Sequence, residues 1–125
     1  MFQCIRINYI PLDIQNKIQK YYENIDQIRY LLDLDAYIIR ICEYIDYSTN
    51  DSYKIKVERL KMYDFSEYKE LDTYFKESLY ESYTNKEFVD NFYKKIYNKH
   101  MMIHNLVIAY ENENKLIYPK INNYL

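Results

Sequence analysis

Two histidines four residues apart, in "HMMIH" at 100–104, are where metal or proton chemistry is first sought in this 125-residue chain. On a helix, His100 and His104 would share a face, and two imidazoles at that spacing can begin a zinc site. The glutamate of the metalloprotease motif is missing, and no nearby Cys, His or Asp offers a third ligand. No metal or other cofactor is therefore expected. Histidines at a helix end, interacting with its dipole, are the simpler reading.

Nucleophiles fare no better. Cys4 and Cys42 both sit in apolar runs, where burial raises a thiol's pKa and suppresses the thiolate. Two cysteines are too few for a disulfide framework and read as free thiols of a reducing compartment. Ser48, Ser52, Ser66, Ser78 and Ser82 fall in turns or on helix surfaces, with no strained elbow to present them. The carboxylate pairs Asp33 with Asp35, and Glu111 with Glu113, read as a solvated turn and a hairpin tip. The chain holds no glycine at all, which excludes phosphate-cradling loops. A non-enzyme is expected.

The clearest charged patch is "NFYKKIYNKH", where Lys94, Lys95 and Lys99 interleave with Tyr93 and Tyr97. Lysines on phosphate with bases stacked on tyrosine is how single strands are held without sequence preference. A net charge of −2 and the acidic "ENEN" at 111–114 oppose a polyanion, so nucleic acid is the lesser expectation. No apolar run reaches membrane length, and a cytoplasmic protein is expected.

The elements that would position these residues are read from periodicity. "FQCIRINYI" alternates as a half-buried strand, and Pro11 suits the start of a helix. From Leu12, apolar residues recur at helical spacing through Ile14, Ile18, Ile25 and Ile28, with a break or bend expected near "ENID". "LDAYIIRICEYIDY" repeats the helical spacing with Leu34, Ile38, Ile41 and Ile45; it suits a helix or a buried strand, and its length favours the helix. "YKIKVERLKMY" places Tyr53, Ile55 and Val57 on one side and lysines on the other, predicting a middle strand. Asp64 with Glu67, and Thr84 with Glu87, form capping pairs before two further helices. "NLVIAYENENKLIYPKI" predicts a C-terminal β-hairpin, with Pro119 confining its last strand to an edge. Without glycine, turn positions needing positive φ should fall to the Asn and Asp of "STNDS", "TN" and "ENEN".

These elements predict a single α+β domain over residues 1–125. A small antiparallel sheet of N-terminal strand, middle strand and hairpin packs with four to five helices; the alternative is a mostly α-helical domain with the hairpin alone.

Within the first helical stretch, "IPLDIQNKIQKYY" resembles the start of an F-box. Ile10 and Pro11 stand where that motif has Leu-Pro, and Asp13, Ile14, Ile18 and Tyr21 or Tyr22 follow in its spacing. "IDQIRYLL" resembles its second helix. The resemblance covers residues 10–32 and implies docking on the Skp1-type adaptors of ubiquitin ligases.

The broader expectation is a protein-interaction protein. Tyrosine offers large contact area with a polar tip, and 18 tyrosines are too many for so small a core to absorb. The candidate contact residues are Tyr21, Tyr22, Tyr30, Tyr93, Lys94, Lys95 and Tyr97. Abundant Ile, Lys, Asn and Tyr with no glycine reflects AT-rich coding, as in a virus or mobile element. A small inhibitor that masks a host defence protein, anti-CRISPR-like in type, fits that source. Sheet edges could also pair into a homodimer.

Overall fold

The computed structural model describes residues 9–125; of the N-terminal strand expected over residues 2–10, all but Tyr9 and Ile10 lie outside them, and those two form a turn and a bend. Among the described residues there is no strand. Four α-helices follow one another: α1 (Leu12–Tyr47), α2 (Tyr53–Leu60), α3 (Lys69–Glu81) and α4 (Asn85–Ile121), closed by a 3-10 turn at Asn122–Tyr124. The antiparallel sheet is thus overturned in favour of helices, and the hairpin retained in the alternative reading is overturned with it.

Each substitution of helix for strand can be traced to named residues. At 53–60 the Ser52 hydroxyl accepts from the Ile55 N–H at 3.3 Å, starting a helix instead of a strand. The helix buries Val57 and Leu60 and leaves Tyr53 and Ile55 largely outside, separating residues that a strand would have kept together. Lys56 lays its stem inside and its ammonium over the Tyr53 ring, 5.0 Å from the centroid.

At the C-terminus, Val107, Tyr110, Asn114, Ile117 and Ile121 face inward at alternating spacings of three and four, a heptad stripe. "ENEN" lies inside that stripe as one and a bit helical turns. No described residue takes positive φ, so the left-handed turns reserved for Asn and Asp are not used. Pro119 sits within α4, near its end, and not on a sheet edge.

α1 also runs unbroken through "ENID". Asn24 of that stretch is turned inward, where hydrogen bonds satisfy its amide nitrogen, so the helix has no need to break. The two helices that the F-box resemblance implied for residues 10–32 are therefore one. The Thr84–Glu87 cap forms as expected: the Thr84 hydroxyl accepts from the Glu87 N–H at 3.1 Å, and the Glu87 carboxylate accepts from the Tyr83 N–H. Asp64 caps no helix. It accepts from the Ser66 N–H at 2.9 Å, and the Ser66 bonds hold its carboxyl below the usual range.

Close contacts divide the described chain into two compact units, Tyr9–Leu32 with Asn105–Leu125, and Asp33–His104. The first is an arm made from one end each of α1 and α4. Asn24 meets Asn114, and Tyr21 meets Tyr118 with ring centroids 6.0 Å apart, so the two segments run antiparallel. The second unit packs the rest of α1 and α4 with α2 and α3 around a phenylalanine cluster. Phe75 stands edge-on to Phe88 at 5.0 Å and to Phe92 at 5.5 Å, while Phe65 closes the cluster from the loop before α3.

Candidate functional site

Within the arm, the core is thin. Among its described residues the buried ones are Asn24, Leu31, Val107 and Ile121. Beside that core a groove of about 480 Å³ opens between Tyr21 and Ile28 of α1 and Glu111, Lys115, Tyr118 and Pro119 of α4. Tyr22 packs edge-on against Tyr21 with centroids 5.5 Å apart and remains half exposed. Leu32, Ile108 and Tyr118 are exposed to a similar degree. An apolar cleft between helices, with a few polar groups at its rim, suits an amphipathic protein element.

Asn114 shapes the groove floor. Its Nδ2 donates to the Tyr21 carbonyl at 3.1 Å, and its Oδ1 accepts from Asn24 at 2.9 Å. Asn24 also donates to Glu113 at 3.2 Å, while Lys20 approaches the same carboxylate at 3.9 Å. A polar pair with one buried and one half-buried member at inward-facing positions fixes helix register, because sliding by one turn would break the bonds between the two amides.

The expected contact residues split between the units. Tyr21 lines the groove, Tyr22 flanks it, and Tyr30 is partly exposed on the same helix. Tyr93 and Tyr97 stack on α4 in the other unit, 6.1 Å apart, with the Tyr93 hydroxyl on Asp46 at 3.5 Å. Burial and the Asp46 charge push the Tyr93 phenol upward. Lys95 is bound to Glu81 at 2.9 Å and Glu77 at 3.5 Å, and Lys99 to Glu70, while Lys94 points outward. Two of the three lysines of that patch are thus neutralised within the fold, which removes most of its appeal to a polyanion.

One relationship was invisible in the sequence. His100 Nδ1 lies 2.6 Å from the Asp35 carboxylate, across 65 positions, and Tyr97 flanks the imidazole at 6.0 Å. Asp35 is therefore no solvated turn residue but a largely buried partner in mid-helix, and Glu113 is no hairpin tip. With α4 continuing to Ile121, His100, His104 and the lysines also lie far from any helix end, so the dipole reading lapses. An Asp–His pair orients an imidazole, as in hydrolases, but catalysis also needs a nucleophile in its reach. Burial first, and then Asp46 and Asp35, push the nearby Cys42 thiol up to about 11, the opposite of activation. Among the described residues no group of His, Cys, Asp and Glu could hold a metal ion, and no helix is long and apolar enough to cross a membrane.

Comparison of the chain with family models, curated proteins and solved structures finds no match.

Proposed function

We propose that this chain is a non-catalytic module that acts by stoichiometric protein–protein contact, using the two-helix arm as its principal surface. The observation that carries the reading is the groove between Tyr21 and Tyr118, an apolar cleft beside a core of very few residues. A helix pair so thinly packed gains most from an added apolar face. The stacked Tyr93 and Tyr97 offer a second, smaller contact area. The AT-biased composition supports a viral or mobile-element source, and a small acidic contact protein from such a source fits the masking of a host protein.

The test is capture with the full chain in cells of its source. The native chain should retain a protein in near one-to-one ratio. Tyr118→Asp should lose it, whereas Tyr80→Asp, at a site 94% exposed in the other unit, should keep it. Equal retention by both variants, or none by the native chain, would count against the arm.

A further inference from the structure

The arm carries a second stripe that the fold leaves uncovered. On α4, Ile108, Glu111, Lys115 and Tyr118 follow one another at spacings of three, four and three, so they share a face. Each stands one position after an inward-facing residue: Val107, Tyr110, Asn114 and Ile117. On α1 the positions following Tyr21, Asn24, Ile28 and Leu31 are Tyr22, Ile25, Arg29 and Leu32. In an antiparallel pair, positions one step past the core lie on the same side of both helices. The arm therefore presents one broad face, with exposures of 50% at Tyr22, 51% at Leu32, 43% at Ile108 and 48% at Tyr118.

The α4 stripe has a property that selects its occupant. Glu111 and Lys115 lie two residues to either side of position 113, and Ile108 and Tyr118 lie five to either side. Laid antiparallel on a copy of itself about a two-fold axis at that position, the stripe places Glu111 opposite Lys115 and Ile108 opposite Tyr118, each pairing occurring twice. A contact of this kind is isologous and closes at two copies. Both charged groups are available for it, since among the described residues neither Glu111 nor Lys115 is in an ion pair. Tyr22, Ile25 and Leu32 would flank the seam as apolar cover, turning two helices into four around a shared core.

We propose that a second copy of this chain occupies the arm, α4 against α4 about a two-fold axis near Glu113, with reciprocal Glu111–Lys115 pairs setting the register. This rests on the arm being a protein-contact surface and names a second copy as its occupant, leaving the stacked Tyr93 and Tyr97 as the contact area open to a host protein.

Sedimentation equilibrium of the full chain, from about 1 to 100 μM, tests it. The native chain should be a dimer. Glu111→Lys alone and Lys115→Glu alone each turn two attractive cross-copy pairs repulsive and should weaken association roughly tenfold or more. Mixed one to one, the two variants should recover native affinity as a heterodimer, because each then meets opposite charges. Both sites are exposed, and unchanged helical circular dichroism confirms that the variants fold. A native chain that stays monomeric at 100 μM overturns the proposal, as does a dimer indifferent to both reversals. If the chain is monomeric yet Tyr118→Asp still abolishes capture of another protein, the contact surface stands and only the identity of its occupant falls.

Discussion

Asn24 and Asn114 meet side chain to side chain, 2.9 Å apart, in the core of a helix pair that has few other buried residues. One amide oxygen, Asn24 Oδ1, has no hydrogen-bond partner there. The pair is therefore costly in stability and valuable in register, which an aliphatic pair would leave free to slide.

Replacing one member should cost more than replacing both. Asn114→Leu leaves the Asn24 amide only its Glu113 acceptor, removes the donor to the Tyr21 carbonyl, and should destabilise the fold by about 1–3 kcal/mol. The Asn24→Leu, Asn114→Leu double variant should recover much of that loss in urea unfolding. Single and double losses that simply add would contradict the coupling.

Pro119 supplies a second case. Its ring removes the N–H that would bond to the Lys115 carbonyl, within a helix that continues to Ile121. Pro119→Ala should raise stability by about 1 kcal/mol, less than for a mid-helix proline because the last turn frays. A lower melting temperature would show that the proline ring contributes packing at the groove rim.

The start of α2 depends on one hydroxyl. Ser52→Ala should cost about 1 kcal/mol, because the Ile55 N–H loses its acceptor at the helix N-terminus. Ser52→Asp should keep the cap. Equal melting temperatures for Ser52→Ala and the native chain would place the start of this helix under tertiary control alone.

Cys42 should be a slow nucleophile. With its thiol pushed up to about 11, thiolate at pH 8 is about 0.1%, so alkylation should run roughly a hundredfold slower than in the unfolded chain. The rate, followed by mass spectrometry of the Cys42 peptide, should climb with pH until about 11. The folded thiol holds its proton more tightly than the unfolded one. Its contribution to stability is thus complete below the ordinary value of 9.0 and fades as pH rises toward about 11. Native alkylation as fast as in urea would refute the burial that raises it.

Local grammar was legible wherever the chain's own neighbours decide the outcome. The Thr84–Glu87 cap, the helical spacing from Leu12 and the absence of any glycine loop follow from residues within a few positions of one another. The same grammar misled at 53–57 and 106–121. Alternating or paired apolar runs there suit either period, and the choice depends on which face meets a partner. Val57 and Leu60 on one side, and the stripe from Val107 to Ile121 on the other, become helical faces only when another helix lies against them. Pairings across 65 and 90 positions, Asp35 with His100 and Asn24 with Asn114, belong to tertiary structure alone. Antiparallel packing brings together side chains whose sequence separation carries no periodic signal, and only that packing turns two asparagines and an aspartate from turn formers into interior groups.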